Sequence, residues 1–350
     1  MNRRGLLAAA CGTAVALTIG TALPATADTA QPVLLPGGVE GAANGINDAG
    51  TTVGWTAANA NSGPVRATVW DVHGKAVPLP GLVAGEYSEA AAVNDSGVIA
   101  GTAEAADIDN HAVRWSANGS ITDLAVLPGA SYFRGRAINN GNVVVGSAYV
   151  GNEGFVSHAL RWAADGSVTD LGVPAGYWSS EADAVSDDGT VVGSAWDESY
   201  THKHAIRWNT DGTVTDLGTA PGAVMSWAAG VSADGAIVGT SQSADRKNHA
   251  TRWNTDGTIT VLPTLAGGDN SGAEAINSAG VAVGFANAAG TPSHAVQWGR
   301  DGQVTDLGVN PADGDAIANA ISPDGWVAGN SHRPNDYHPL AVRWPAPAGR

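Results

Sequence analysis

Glu181, Asp183 and Glu274 are the residues in this 350-residue sequence whose types and spacing could do chemistry. Glu181 and Asp183 stand two apart in a stretch that reads as a β-strand, so both carboxylates share one face. Their separation is then roughly the ~5.5 Å of a retaining glycosidase pair. Arg134 and Arg136 lie one repeat earlier at the matching positions, and Glu89 and Trp227 occupy the same position in other repeats. With Tyr132 and Trp178 as an aromatic rim, these residues predict a funnel for a small ligand or glycan, with apolar walls and few polar groups. Two alternatives stand beside that one. The carboxylates could act as acid and base on a polysaccharide, or the arginines could simply neutralise Glu181 and Asp183 across a boundary between repeats.

Other polar motifs read as scaffold. His111, His158, His204, His249 and His294 each open a His-Ala-x-x-Trp segment, but they recur once per repeat and cannot converge on one ion. Hydrogen bonding within a repeat or to its neighbour is the expected role. Arg114, Arg161, Arg207, Arg252 and Arg343 are expected to link neighbouring repeats. Segments such as Asn47-Asp48-Ala49-Gly50 and Asn94-Asp95-Ser96-Gly97 offer turn chemistry and lack the alternating carboxylates of a calcium loop. Cys11 is the single cysteine, which excludes an intrachain disulfide and a cysteine zinc site. No metal or cofactor is expected. Seventeen basic residues against 33 acidic ones, a formal charge of −16, also argue against a nucleic-acid partner.

The elements that must position these residues come from an internal repeat. Tryptophans at 70, 115, 162, 208, 253, 298 and 344 recur every 45 to 47 residues through to the end of the sequence. Each repeat holds four short apolar runs bounded by Gly and Asp turn signals, which predicts an antiparallel meander with strands A to D. Strand A ends at Ile46, Val93, Ile138, Val185, Val231, Ile276 and Ile321. Strand B is expected to end at a glycine in all seven repeats, from Gly54 to Gly329, a sign of close approach between neighbouring sheets. Strand C carries the tryptophan. Four strands per repeat match a propeller blade. The last repeat lacks a strand D, and Pro32-Val33-Leu34-Leu35-Pro36 near the start reads as one. The sequence therefore predicts an all-β, seven-bladed β-propeller of four-stranded antiparallel blades, closed by the N-terminal strand joining the last blade in a 1+3 arrangement.

In such a ring the variable B–C loops and D–A crossovers share one rim. Glu86, Tyr87, Tyr132, Phe133, Tyr177, Trp178 and Trp227 fall in the crossovers, and Tyr149, Phe155, Trp196 and Tyr200 in the loops. The innermost strand A lines the channel. Its side chains, three and five residues before each A–B turn, include all the charged candidates above.

His111-Ala112-Val113-Arg114-Trp115, His158-Ala159-Leu160-Arg161-Trp162, His204-Ala205-Ile206-Arg207-Trp208 and His249-Ala250-Thr251-Arg252-Trp253 resemble the extracellular HAF repeat family. The third position is Val, Leu, Ile or Thr here rather than the family's Phe. The resemblance implies a bacterial secreted repeat protein and brings no established catalytic residues. Export is read independently from residues 1–27: Arg3 and Arg4, an apolar stretch from Gly5 to Leu23, and cleavage after Ala25-Thr26-Ala27. The short basic region favours the Sec route over a twin-arginine route. Residues 28–350 then form one domain, and no later stretch is long and apolar enough to cross a membrane. The favoured function is a secreted, non-enzymatic binding module for a glycan or an extracellular protein. A polysaccharide hydrolase or lyase is the rival, and a purely structural cell-surface protein a third reading.

Overall fold

The computed structural model describes residues 31–59, 64–107, 109–151, 156–309, 313–336 and 338–346. The signal-peptide expectation and Phe155 lie outside the described residues. Every regular element among the described residues is a strand, and the strands form seven four-stranded antiparallel sheets in chain order. None of the described residues forms a helix long and apolar enough to cross a membrane. The molecule is the predicted seven-bladed propeller, with strands A to D running from the channel outwards.

Closure follows the expected arrangement. Val33 and Leu34 pair antiparallel with Arg343 and Val342, so the N-terminal strand becomes the outer strand of blade 7. Leu35 is buried with Ala43, Ile46, Trp70, Ala328 and Ala341, which ties the same segment into the junction with blade 1.

The strand C tryptophans explain the repeat period physically. All seven are at most 5% exposed, and each packs between two blades. Six of the seven indole N–H groups find a backbone acceptor, and Trp208 Nε1 is buried without one. Trp115 donates to Pro80 O at 2.8 Å, Trp162 to Ala125 O at 2.8 Å, and Trp298 to Pro263 O at 2.8 Å. Each acceptor lies just after strand D of the preceding blade. Trp70 obeys the same rule through Pro36 O, at the end of the N-terminal strand. Arg114, Arg252 and Arg343 likewise reach carbonyls of the following blade, such as Ala164 O, Gly280 O and Gly50 O. A further link was not foreseen: buried serines at the start of strand A accept the amide of strand C one blade back, as Ser226 does from Ala205 at 2.9 Å.

The seven strand B glycines need a different explanation from the expected one. They do not end their strands, which run on, for example from Val191 to Trp196 and from Ile237 to Ser243. The tightest approach at all seven lies within a blade, although Gly101 also meets the next blade, its carbonyl 2.6 Å from where a Cβ on Gly135 would sit. Strand A carries a β-bulge in every blade, skipping Asn44, Ala91, Arg136, Asp183, Ala229, Glu274 and Asn319. A bulge bends its strand and re-aims the backbone. Here it drives the carbonyl two residues before the bulge towards strand B of the same blade. A Cβ on Gly193 would sit 2.0 Å from Glu181 O, and one on Gly239 would sit 2.1 Å from Trp227 O. Only glycine fits there.

Candidate functional site

The bulges build the site. All seven skipped residues line one cavity of about 650 Å³ at the channel mouth, on the face of the B–C loops and D–A crossovers. A second tier, two residues earlier on strand A, adds Glu89, Arg134, Glu181 and Trp227. The other end of the channel is lined by the β-branched residues that end strand A, Ile46 to Ile321, around a smaller cavity of about 190 Å³. Turn residues also line that lower cavity, among them Asp95 and Asp187, which are bridged by the Asn140 amide.

Of the nine expected site residues, the structure brings seven together: Glu89, Arg134, Arg136, Glu181, Asp183, Trp227 and Glu274. Tyr132 and Trp178 do not line the cavity. Tyr132 takes a left-handed turn at φ 54°, its amide is held by both Asp109 carboxylate oxygens at 2.9 and 3.0 Å, and its ring meets Tyr149 on strand B of its own blade. Trp178 precedes its strand, donates its amide to Trp196 O at 2.8 Å, and stays 38% exposed above the mouth. The expected apolar walls are absent too. Charged and amide side chains dominate the lining, because the bulge positions carry Asn, Arg, Asp and Glu where they are not Ala.

Arg136 faces two carboxylates at once, with Nη2 3.9 Å from Glu181 Oε2 and Nη1 4.0 Å from Asp183 Oδ1. These distances are ion pairs without hydrogen bonds. Burial pushes the Asp183 carboxyl above its usual range; Arg136 opposes that rise and the Glu181 charge adds to it. Glu89 is better held: the Tyr87 hydroxyl donates to Oε2 at 2.6 Å and Asn44 Nδ2 to Oε1 at 2.9 Å. Burial, reinforced by that carboxylate, pushes the Tyr87 phenol well up, so it stays protonated. Glu274 differs from all of these. It has neither a hydrogen-bond nor an ion-pair partner among the described residues, and burial pushes its carboxyl up to about 7, with Asp183 contributing.

Lys203, Tyr87, Thr102 and Asn110 also line the mouth and were absent from the expected site. The Lys203 ammonium lies 5.4 Å from the Trp227 ring centre and 5.3 Å from that of Trp196, a double cation–π contact. A sequence signal existed for two of them. Lys203 and Asn110 immediately precede the histidine of the His-Ala-x-Arg-Trp segment, where strand C starts beside the mouth.

The histidines are scaffold in the described structure. His111, His158, His204 and His294 each place Nδ1 against the strand D aspartate twelve residues on, at 2.8 to 3.0 Å. His249 has Val261 at the corresponding place on strand D. Tyr177 completes the blade 4 pair by donating its hydroxyl to Asp216 Oδ2 at 2.7 Å. No group of three or more His, Cys, Asp or Glu fit to hold a metal ion occurs among the described residues.

No protein-family model matches this chain, and no curated protein does. Solved structures do resemble it in fold. A puromycin hydrolase superposes with a TM-score of 0.56 at 14% identity, over 88% of this chain and 52% of that one. TolB from Acinetobacter baumannii gives 0.51 at 13% identity, over 82% and 67%. Virginiamycin B lyase from Staphylococcus aureus gives 0.51 at 14% identity, over 90% and 98%. This chain spans about half the length of the puromycin hydrolase. Identities this low carry the propeller fold, and the diversity of the three proteins leaves function to be argued from the site.

Proposed function

We propose that this chain is a secreted, non-enzymatic binding module that holds a glycan in the channel mouth. One observation carries the reading. The cavity of about 650 Å³ is walled by the two positions of strand A at which the repeats diverge, while the surrounding scaffold positions repeat from blade to blade. Its size lies within the ~300–1,000 Å³ of small-molecule sites. Divergence concentrated on the lining of a rigid repeat fold is how such scaffolds acquire specificity. Exposed Tyr132, Trp178 and Tyr200 gather on the arc of blades 3 and 4, where an oligosaccharide could stack beyond the cavity. Secretion rests on the features of residues 1–27, and membership of the HAF repeat family on the four His-Ala-x-Arg-Trp segments.

The test is a glycan array probed with the chain lacking residues 1–27, followed by calorimetric titration of each hit against Arg136→Ala. Binding that weakens at least tenfold in the variant supports the reading. An array without hits removes the glycan, and hits indifferent to Arg136 move the site elsewhere.

A second reading, hydrolysis or elimination on a polysaccharide, is favoured by Glu274 alone. An unpaired carboxyl poised near 7 is suited to general-acid work. Against it, Glu181 and Asp183 share Arg136 rather than facing a cleft of their own. Release of new reducing ends from an array-positive polysaccharide, abolished by Glu274→Gln, would install this reading in place of binding.

A further inference from the structure

Charge in the mouth is distributed unevenly around the ring. Four carboxylates, Glu89, Glu181, Asp183 and Glu274, meet three cations, Arg134, Arg136 and Lys203, and all three cations belong to blades 3 and 4. Glu89, Glu181 and Asp183 stand on blades 2 and 4, on or beside those arginines. Glu89 also has Tyr87 and Asn44 as donors. Blades 5, 6, 7 and 1 contribute no cation to the lining. Glu274 therefore stands on blade 6 with no cation to pair with, in the same cavity as Trp227 of the adjoining blade 5. The Trp227 ring already attracts a cation, the Lys203 ammonium.

An aromatic face beside an unpaired carboxylate recognises one kind of group: a positive charge carried on an apolar frame. The neutral lining narrows the class. Thr102 and Asn110 form no side-chain hydrogen bond among the described residues, and Asn44 and Asn319 spend their amide N–H groups on neighbouring strands while their carbonyl oxygens take part in no hydrogen bond among the described residues. Such amide and hydroxyl groups suit a ligand rich in hydroxyls.

We infer that the glycan taken by this mouth is cationic, a chain of amino sugars whose ammonium pairs with Glu274 while the apolar face of the ring lies on Trp227. This rests on the binding reading above and specifies its substrate class. The charge arrangement gives the ligand a direction: its ammonium points to blade 6, and its hydroxyls or any acidic substituent point to Arg134 and Arg136 on blade 3. A neutral N-acetylated sugar of the same shape offers Glu274 an amide hydrogen bond at most, and no positive charge.

Two probes of one shape separate the possibilities: tetramers of β-1,4-linked N-acetylglucosamine and of fully deacetylated glucosamine, titrated calorimetrically at pH 6 and low salt. The deacetylated tetramer is expected to bind at least tenfold more tightly. Glu274→Gln is expected to erase that preference. Asp256→Asn, which removes the same charge from an exposed turn on the opposite rim, is expected to keep it. Equal or tighter binding of the acetylated tetramer leaves the glycan reading standing and overturns the cationic one. Binding of neither tetramer overturns the cationic inference, while an array hit on another glycan would still uphold the binding reading. A preference for the deacetylated tetramer that survives Glu274→Gln, or that falls equally with Asp256→Asn, assigns it to the overall acidity of the protein and overturns the assigned site.

Discussion

Replacing Glu274 with Gln should make the protein more heat-stable above neutral pH and leave its stability almost unchanged near pH 4. Burial, with Asp183 adding to it, pushes the Glu274 carboxyl from 4.5 up to about 7. Over the interval between those values the folded chain retains a proton that the unfolded chain has released. Stability therefore falls as pH rises through that interval, and the loss is complete above it. At about 1.4 kcal/mol per tenfold change in affinity for the proton, the whole rise is worth about 3 kcal/mol. Solvent reaches the mouth, so about 2 kcal/mol is the expected yield. An unfolding entropy of ~2.1 cal/mol/K per residue over about 320 residues turns that into a gain of about 3 °C for the variant at pH 8. Differential scanning calorimetry of parent and variant from pH 4 to pH 8 measures it. The other groups facing the mouth, Glu89, Glu181, Asp183, Arg134, Arg136 and Lys203, are common to both proteins, and their effects cancel in the difference except for the coupling of Asp183 to Glu274. A difference in melting temperature that is the same at pH 4 and pH 8, or a variant less stable at pH 8, would refute the argument.

Deleting residues 31–37 should lower the melting temperature by about 6 °C or more and produce concentration-dependent self-association in sedimentation velocity. Leu35 leaves the core, Trp70 loses its acceptor at Pro36, and the edge of the Leu340–Trp344 strand is bared, together about 4 kcal/mol; an unchanged melting temperature and a monomeric variant would contradict the closure. Gly239→Ala should cost about 2–4 kcal/mol, because its Cβ would press on the Trp227 carbonyl at 2.1 Å. Gly257→Ala, at φ +84° with nothing within 4 Å, should cost only about 1 kcal/mol of backbone strain. Equal losses in the two variants, read by thermal melting, would mean that the bulge does not need the glycine.

The parts of the fold that were legible are those in which one side chain does the same job seven times. A buried tryptophan every 45 to 47 residues, a glycine in each strand B and a turn dipeptide after each strand A announce a ring before any coordinate is known. Closure was legible as well, since Val33 and Leu34 stand where the last blade lacks a strand. The channel-lining register was legible because strand A alternates and its turn gives a fixed origin for counting. Lys203 announced itself only by its place before the strand C histidine; its contact with Trp227 was not legible, because only the packing of blade 4 against blade 5 makes it. Tyr132 and Trp178 stay outside the cavity lining for a related reason. Their crossover positions are right, but a left-handed turn in one case and a backbone bond to Trp196 in the other fix their local backbone, and neither is encoded by residue type alone.

The bulge joins these observations into one account of why function sits where it does. A residue skipped by the A–B ladder has no cross-strand partner on which its side chain must pack, so its identity is free of the sheet. The glycine opposite bears the steric demand of the bulge, and it is glycine in all seven blades. Freedom at one position is thus secured by constraint at another. Blades 1 and 7 use the freedom structurally, with Asn44 and Asn319 tying strand A to the next blade through Ala90 O and Ala43 O. Blades 2 and 5 place alanine there and leave space. Blades 3, 4 and 6 place Arg136, Asp183 and Glu274, and of these Glu274 alone finds no partner within the described protein. An unpartnered carboxyl at the position the scaffold leaves free is the residue most naturally completed by a ligand.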